Sequence, residues 1–467
     1  MIDTTFDLIV IGAGAVGENI ADRAVQGGLT ALLIESELVG GECSYWACMP
    51  SKALLRSGIV LRAAQAVGGA REAVTGELDV EATFARRDAF TSNWDDAGQV
   101  KWVEGAGITL VRGHARITGE KQVTVDGTVY TARHAVAVSV GSDPLLPEIP
   151  GLADVLPWTS RDATSAKIAP KRLAIIGGGV VGVEMATAYQ SFGTAVTIIA
   201  RANLLGTEEP FAGELVTAAL EKFGVTVLRG VETTSAHRDD DGITLELDDG
   251  STVVADEVLV STGRLPRTND LGFETIGLTP GSWMDVDDTM LVTGFDWLYT
   301  CGDVNHRALL THQGKYQARA AGDVIAARAL GTGVHDNRFG AHAATADHEM
   351  VPQVTFSDPE VASVGLTAKA AVKAGYDIRV VDYNLGGVAG SSVQADGYEG
   401  HARMVVDEKR RVILGVTFVG QDVSEMLHAA TIAVVGEVPI DRLWHAVPAY
   451  PTMNEIWLRL LEAYGRP

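Results

Sequence analysis

The sequence is poor in cysteine and in positive charge, and it has no long hydrophobic run. Three cysteines in 467 residues exclude the disulfide scaffold of a small secreted protein and favour a reducing cytoplasm. No stretch of about 18 apolar residues occurs, and no basic segment precedes the first apolar run, so we predict neither a membrane span nor an export signal. With 37 basic against 60 acidic residues, the net charge of −23 disfavours nucleic acid and anionic membranes as partners.

The chain is longer than a single domain and richer in glycine than most proteins. At 467 residues it is about three times the ~150 residues typical of one domain, which predicts two or three cores. A hydrophobic fraction of 46% with 21% charged residues is typical of a globular enzyme. Glycine occurs 52 times, about 11% of the chain against a usual ~7%, and therefore predicts many tight turns and close backbone approaches.

A strand–turn–helix pattern opens the chain and predicts a dinucleotide site. Residues 6–11 are largely apolar and β-branched, a helical stretch runs to residue 24, and a second strand covers residues 31–34. Glu35 follows that strand, where a carboxylate can bind two ribose hydroxyls. The turn between strand and helix carries the GxGxxG spacing, with Gly12, Gly14 and Gly17.

The same pattern recurs 165 residues later, so we predict a second dinucleotide site. Its strands cover residues 172–176 and 195–199, and its turn contains Gly177, Gly179 and Gly182. At the offset where the first site has Glu35, the second has Ala200, followed by Arg201. Because a carboxylate would repel a 2′-phosphate and an arginine can bind it, NADPH is favoured over NADH. Arg201 could instead be a solvated strand-end residue, and Glu208 and Glu209 weaken the prediction of a positive pocket.

A cysteine pair follows the first site, in the segment Cys43-Ser-Tyr-Trp-Ala-Cys48-Met-Pro-Ser-Lys52. With two GxGxxG folds, this CxxxxC-x-P-S-K pattern resembles the class I pyridine nucleotide-disulfide oxidoreductases, which include dihydrolipoamide dehydrogenase, glutathione reductase and mercuric reductase. The resemblance covers essentially the whole chain. It extends to Ser139-Val-Gly-Ser142-Asp-Pro, Gly263-Arg-Leu-Pro266, Thr300-Cys-Gly-Asp303 and Pro451-Thr-Met-Asn-Glu455.

The resemblance implies an α/β fold with two Rossmann-like dinucleotide-binding domains, for FAD and NAD(P), and a C-terminal α+β dimerisation domain. The expected segments are 1–150 and 284–345 for the FAD-binding domain, 151–283 for the NAD(P)H-binding domain and 346–467 for the interface domain. A free homodimer acting on a small-molecule acceptor is expected, with no resident metal.

Residue roles are also implied by the resemblance. Cys48 is expected to be the thiolate beside the flavin, Cys43 the interchange thiol that meets the substrate, and Lys52 the partner of Glu184. Catalytic positions at the C-terminus are Tyr450 and Glu455. The residues implied in FAD binding are Gly12, Gly14, Gly17, Glu35, Gly41, Lys52, His114, Gly141, Asp303, Leu310 and Thr311. Those implied in NADP binding are Gly177, Gly179, Gly182, Glu184, Arg201 and Gly263.

Two departures from the family pattern bear on function. The loop between the cysteines contains Tyr45 and Trp46 where relatives usually carry asparagine and glycine, and these rings either pack on the flavin edge or line the substrate entrance. Tyr450 replaces the usual histidine. A free tyrosine has a pKa of about 10 and a free histidine a pKa of about 6.5, so tyrosine is the poorer base by roughly 5 kcal/mol. This difference favours disulfide reduction over dihydrolipoamide oxidation, which needs a base. His445 is a possible substitute for that histidine.

Two further positions have structural explanations. Thr452 to Glu455 also fits a capping box that opens a helix over residues 453–463. Cys301 fits a packing thiol.

Three functions stay open at this point. The first is NADPH-linked reduction of a disulfide, with an NAD-linked dihydrolipoamide dehydrogenase as its variant. The second is reduction of quinones or metal ions by the same centre, although mercury detoxification is doubtful because the chain ends Glu462-Ala-Tyr-Gly-Arg-Pro467 without a cysteine pair. The third is a flavoprotein component of a complex or a redox sensor.

Overall fold

The protein is described by a computed structural model that covers residues 3–466. The strands of unit 1, defined below, are β1 Thr5–Ile11, β2 Ala31–Glu35, β3 Thr109–Arg112, β4 Ala115–Gly119, β5 Gln122–Val125, β6 Thr128–Val138, β7 Ser142–Pro144, β15 Arg264–Pro266 and β16 Leu298–Thr300. Those of unit 2 are β8 Arg172–Ile176, β9 Ala195–Ala200, β10 Thr226–Arg229, β11 Thr233–Asp239, β12 Gly242–Leu247, β13 Thr252–Ala255, β14 Glu257–Val260, β17 Pro352–Thr355, β18 Glu360–Gly365, β19 Ile378–Asn384, β20 His401–Asp407 and β21 Val412–Gly420.

Fourteen α-helices lie within the described residues. They are α1 Ala15–Gln26, α2 Gly41–Tyr45, α3 Cys48–Gln65, α4 Val80–Phe90, α5 Ala97–Gly105, α6 Ser160–Ser165, α7 Val180–Ser191, α8 Pro210–Lys222, α9 Thr311–Leu330, α10 Ala368–Lys373, α11 Ala389–Gln394, α12 Leu427–Val435, α13 Ile440–Leu443 and α14 Ile456–Tyr464. Short 3₁₀ turns include Ser92–Trp94, Asp303–Asn305 and Met453–Glu455. Across residues 3–466, no helix combines the length and apolarity that a bilayer crossing requires.

The chain forms two compact units, each built from three segments. Unit 1 contains the residues up to Pro50, Arg87–Pro144 and Gly263–Asp347. Unit 2 contains Ser51–Arg86, Leu145–Thr262 and the residues from His348 onward. The division into four domain segments inferred from the sequence stays a prediction.

Unit 1 is built on a sheet with the strand order β3-β2-β1-β6-β5-β4, and β16 pairs with β6. Strands β1, β2 and β3 are parallel, with Ile11 opposite Ile34 and Glu35 opposite Arg112. Because both faces of β1 and β2 are covered, these strands are apolar almost throughout, and Leu8, Ile9, Leu32 and Leu33 are fully buried. The carboxyl ends of the three strands therefore form one edge, where the glycine turn begins.

Unit 2 repeats the parallel arrangement and adds two antiparallel sheets. Its parallel sheet has the order β10-β9-β8-β14. The antiparallel sheets have the orders β11-β12-β13 and β17-β18-β21-β20-β19. The predicted strands at 6–11, 31–34, 172–176 and 195–199 are confirmed as β1, β2, β8 and β9, and with them the predicted α/β fold class.

Candidate active site

The first glycine turn brings backbone into contact where any side chain would clash. A Cβ on Gly12 would lie 2.6 Å from the Ser139 carbonyl oxygen, and one on Gly17 would lie 1.9 Å from the Gly12 oxygen. The Ser139 hydroxyl donates to that same Gly12 oxygen at 3.0 Å. Gly14 caps helix α1 without a side-chain hydrogen bond, so the N–H groups of the first turn are open to an anion.

Glu35 is anchored beside this turn. Its two carboxylate oxygens accept from the amides of Ala13 and Glu37, both at 2.7 Å. Burial raises the pKa of Glu35, and these amide hydrogen bonds partly offset the rise. His114 lies beyond β3 at the same edge, and its imidazole is 2.7 Å from the Asp270 carbonyl oxygen.

Gly41 permits a second close backbone approach, because its φ is +62° and a Cβ there would lie 2.7 Å from the Gly14 Cα. The cysteine segment is thereby held against the first glycine turn. Cys43 lies in helix α2 and Cys48 is the first residue of helix α3. The first turn of an 18-residue helix favours a thiolate, because unpaired amides and the helix dipole stabilise negative charge.

No disulfide connects the two cysteines. The neighbouring Cys48 thiol and burial raise the pKa of Cys43, while Thr311 and Lys315 oppose the rise, so Cys43 keeps its proton when the pair carries one negative charge. The Cys48 sulfur lies 3.3 Å from the Thr311 hydroxyl at the start of helix α9. Thr311, expected from the sequence as a flavin residue, is thus also a contact of Cys48.

A buried carboxyl group lies in helix α1 directly after the glycine turn. Glu18 is 7% exposed, and its Oε1 has no hydrogen-bond partner among the described residues. Burial raises the pKa of Glu18 to about 7, and Glu35 adds to the effect while Lys315 reduces it. Glu18 is therefore protonated over most of the pH range below neutrality.

Asp303 belongs to a short chain of polar contacts within unit 1. The Ser142 hydroxyl donates to its Oδ2 at 2.5 Å, and the Arg264 Nε donates to the same hydroxyl at 2.5 Å. Gly141 adopts a φ of +75° one residue before Ser142, and Leu310 directly precedes helix α9. Gly263, with a φ of +149°, leads into β15 at the start of a unit 1 segment.

The second glycine turn, in unit 2, reproduces the first. A Cβ on Gly177 would lie 2.4 Å from the Ser261 carbonyl oxygen, and one on Gly182 would lie 2.3 Å from the Gly177 oxygen. The Ser261 hydroxyl donates to that oxygen at 3.2 Å. Gly179 caps helix α7 without a side-chain hydrogen bond, and a Cβ there would meet nothing within 4 Å. The second turn therefore also leaves room and free amides for a diphosphate.

Lys52 and Glu184 meet as the sequence predicts. The Lys52 ammonium lies 2.8 and 3.1 Å from the two oxygens of Glu184, whose side chain is only 5% exposed. The Phe356 amide donates to the same carboxylate at 3.0 Å, and the Phe356 ring centroid lies 4.8 Å from the ammonium. A buried carboxylate therefore positions Lys52, which lies four residues after Cys48 on helix α3.

Arg201 is exposed directly after β9, and a second arginine ends the neighbouring strand. Arg229 ends the neighbouring parallel strand β10 opposite Ala200, is exposed, and lies 3.5 Å from Asn203 through its guanidinium. The sequence alone does not reveal Arg229, because only the strand register brings it to residue 200.

The acids that follow Arg201 in sequence are bound elsewhere in unit 2. Glu208 accepts from Gln353 at 2.9 Å, and Glu209 accepts from the Ala368 amide at 2.7 Å and from Arg403 at 2.9 Å. Glu209 is therefore paired with a cation, whereas Glu208 accepts from a neutral amide that does not neutralise its charge. The reservation about a positive pocket stays.

Tyr450 is 75% exposed, and His445 is also exposed. Glu455 lies in the turn before α14, with one oxygen 2.5 Å from Arg459 and its Oε2 buried without a partner among residues 3–466. The predicted capping box is wrong, because the Thr452 hydroxyl donates to the Ala449 carbonyl oxygen and a 3₁₀ turn precedes the helix. Within residues 3–466, no group of three metal-ligating side chains occurs.

The other residues marked in the sequence are mainly buried. Cys301 is 1% exposed, and burial raises its pKa, as expected for a packing thiol. Tyr45 is 3% exposed and its hydroxyl donates to the Val39 carbonyl oxygen at 3.1 Å. Trp46 packs edge-on against Tyr45 with ring centroids 5.7 Å apart. Lys315, Ser261 and Arg229 are the candidate residues that sequence reasoning missed.

Comparison with known proteins defines the class of this fold and site. Residues 6–322 match the family model for pyridine nucleotide-disulphide oxidoreductases, and residues 351–460 match the dimerisation domain of the same family. The chain belongs to the pyridine nucleotide-disulphide oxidoreductase family. It is therefore a flavin-dependent oxidoreductase that uses FAD and a pyridine nucleotide, and the dimerisation domain supports a homodimer.

Individual relatives have several functions. A mercuric reductase from Staphylococcus aureus is 31% identical over 97% of this chain and 81% of its own length. A dihydrolipoyl dehydrogenase from Thermus scotoductus is 33% identical over 98% of this chain and 97% of its own. The solved structure of the Cu(II) complex of RclA, an HOCl-induced flavoprotein disulfide reductase from Escherichia coli, has a TM-score of 0.84 and 22% identity over 98% of this chain and 99% of that one. This last likeness concerns the fold alone.

Proposed function

We propose that the protein is an NADPH-linked reductase that delivers two electrons, through FAD and the Cys43–Cys48 pair, to a small disulfide. The observation that carries the proposal is the pair of free thiols Cys43, in helix α2, and Cys48, at the start of helix α3, with the Cys48 thiol as the largest influence on the pKa of Cys43. Two thiols close enough to influence each other's titration can form a disulfide with small side-chain movements. The pair can therefore alternate between dithiol and disulfide.

The turn of unit 1 fits FAD, which when bound supplies a two-electron carrier between the nicotinamide and the sulfurs. The amides at Gly14 would bind its diphosphate, Glu35 its adenosine ribose, and Asp303, oriented by Ser142, its ribityl chain. Gly41 keeps the cysteine segment close to the turn. The turn of unit 2, with Gly177, Gly179 and Gly182, would bind the pyridine nucleotide.

NADPH is the preferred nucleotide because arginine side chains lie where the 2′-phosphate is expected to bind. Ala200 removes the acidic clamp, and Arg201 and Arg229 both lie at the carboxyl ends of adjacent strands. A guanidinium binds phosphate through parallel N–H groups. Each contact at this exposed edge is expected to contribute about 1 kcal/mol, or about fivefold in affinity.

The direction of turnover follows from Tyr450. A phenol can donate a hydrogen bond to a departing thiolate, but at pH 7 it is a poor acceptor of a proton from a substrate dithiol. Its exposure of 75% leaves it accessible to solvent. Reduction of a disulfide is therefore favoured over oxidation of dihydrolipoamide.

An anaerobic titration of the holoprotein with NADPH, and separately with NADH, tests the proposal. A long-wavelength absorbance band that grows with the first two electrons would show a Cys48 thiolate beside the flavin. NADPH should be preferred, and the double variant Arg201→Ala/Arg229→Ala should lower kcat/KM for NADPH by more than tenfold while leaving the NADH value unchanged.

The exposed Lys222→Ala variant at the end of α8 is the matched control and should preserve the NADPH preference. Flavin reduction without the band would remove the cysteine pair from the electron path and make quinones or metal ions the leading acceptors. A preference for NADH in the parent protein would overturn the assignment of the nucleotide.

A further inference from the structure

A buried carboxylate at the end of unit 1 lies outside the set of site residues described above. Asp347 closes the short 3₁₀ turn Thr345–Asp347, and its side chain is 0% exposed. One of its oxygens accepts from the Gln313 Nε2 at 2.8 Å, and the other accepts from the Gln317 Nε2 at 2.9 Å. The Arg307 guanidinium lies 3.6 Å from that second oxygen. Because a buried carboxylate is unfavourable unless donors surround it, these contacts hold Asp347 in place.

The side-chain amide of Gln317 links Asp347 to a backbone turn. Gln317 is fully buried in helix α9. Its Nε2 donates to Asp347, and its Oε1 accepts from the Gly302 amide at 2.8 Å and from the Asn305 Nδ2 at 2.9 Å. A backbone N–H can only donate and a carboxylate can only accept, so the two ends of the Gln317 amide have one allowed orientation. Loss of the carboxylate would remove the acceptor of the Gln317 Nε2 and release that orientation.

The backbone turn consists of residues 302–305 and contains Asp303. Gly302 adopts a φ of +80°, and Asp303–Asn305 is a 3₁₀ turn. Gln317 therefore holds this 302–305 turn on both sides of Asp303, through the amide before it and the side chain two residues after it. The Asp303 side chain itself is 25% exposed. Its position thus depends on buried hydrogen bonds that Asp303 does not make.

Gln313 connects the same carboxylate to the first turn of helix α9. That helix begins at Thr311, which is expected to contact FAD, and Gln313 lies two residues further on. The helix also packs closely against the backbone turn, because a Cβ on Gly314 would lie 3.1 Å from the Gly302 Cα. Asp347 therefore joins two backbone segments of unit 1 that are both assigned to the FAD site.

We propose that Asp347 is a positioning residue for FAD. Through Gln317 it fixes the 302–305 turn that carries Asp303, and through Gln313 it fixes the first turn of helix α9. The proposal rests on the FAD site assigned under the proposed function and adds the residue that holds two of its segments together. A hydrogen bond weakens steeply when its groups are displaced or misaligned, so movement of these segments is expected to weaken FAD binding.

The dissociation constant of FAD, measured by flavin fluorescence on the apoprotein, tests the role of Asp347. Asp347→Ala should raise this constant at least about tenfold. Asp323→Ala is the matched control and should raise it less than about twofold, because Asp323 lies on helix α9 about 18 Å beyond Thr311 and pairs with Arg23 at 2.7 Å. Equal losses of affinity in the two variants would overturn the proposal, since they would reflect general destabilisation.

A double-variant cycle tests the path through Gln317. Gln317→Met preserves the length of the side chain but offers the Gly302 amide only a weakly accepting thioether. Alone, it should raise the dissociation constant of FAD at least about fivefold. Added to Asp347→Ala, it should raise the constant less than about twofold further, because both residues act in one set of hydrogen bonds. A further fivefold rise in the double variant would show independent effects and overturn the path.

Hydrogen exchange of the apoprotein measures the turn without FAD. The Gly302 amide, followed in peptides that cover residues 298–306, should exchange at least about tenfold faster in Asp347→Ala and in Gln317→Met than in the parent protein. The control Asp323→Ala should show the parental rate. Parental rates in all three variants would overturn the proposal. If Asp347→Ala fails to fold, Gln317→Met still provides both measurements.

These readouts separate the positioning role from the proposed function. At saturating FAD, the visible circular dichroism of the flavin should differ from that of the parent in Asp347→Ala and match it in Asp323→Ala. Neither binding, exchange nor dichroism requires NADPH or a disulfide, so the three can support the positioning role even where disulfide reduction fails. Disulfide reduction by an Asp347→Ala protein that binds FAD with parental affinity would overturn the positioning role and leave the proposed function standing.

Discussion

Replacement of Glu18 by glutamine should remove a pH-dependent loss of stability. The pKa of this carboxyl group rises from 4.5 to about 7 on folding, chiefly because burial penalises its charged form. A shift of about 2.5 units corresponds to about 3 kcal/mol at 1.36 kcal/mol per unit. The folded state binds the Glu18 proton more tightly than the unfolded state does. Proton binding by Glu18 therefore stabilises the folded state fully below pH 4.5, and this stabilisation is lost as the pH rises to about 7.

The assay is urea unfolding of flavin-free protein at pH 5 and pH 8, since bound diphosphate would add charge beside helix α1. The unfolding free energy of Glu18→Gln minus that of the parent protein should be about 2–3 kcal/mol larger at pH 8 than at pH 5. Differences between variant and parent are compared at each pH, because a chain with two units need not unfold in one step.

Glu104→Gln is the control, because Glu104 is exposed on helix α5 of the same unit and should show no such gain. A Glu18→Gln effect that is the same at both pH values would refute the reasoning, since the neutral amide would then not be replacing a carboxylate whose charge opposes folding.

Two further predictions concern Lys52 and Tyr450. Lys52→Met leaves the buried carboxylate of Glu184 without its cation and should lower the unfolding free energy by about 2–3 kcal/mol, and adding Glu184→Gln should restore most of that loss in urea unfolding. No recovery in the double variant would contradict the pairing. Tyr450→His should raise the rate of dihydrolipoamide oxidation at least about tenfold at pH 7, with Tyr450→Phe unchanged. A smaller rise would show that the missing imidazole does not limit that direction.

The two dinucleotide turns were predictable because their information is local. A strand, a glycine turn and a helix occupy some 30 consecutive residues, and the acid or arginine that follows the next strand lies at a constant offset. The pairing of Lys52 with Glu184 was predictable only through resemblance to a family. The capping box at Thr452 failed because the threonine hydroxyl had a competing carbonyl three residues earlier.

Sequence by itself thus determined the fold class and the two glycine turns, since each depends on spacing along one short segment. The redox role of Cys43 and Cys48 stays a prediction that rests on resemblance to the family. Tertiary structure alone placed Thr311 beside Cys48, Arg229 beside Ala200, and Trp94 beside Tyr45. These contacts depend on strand register and on loop closure across tens to hundreds of residues, neither of which a local pattern encodes.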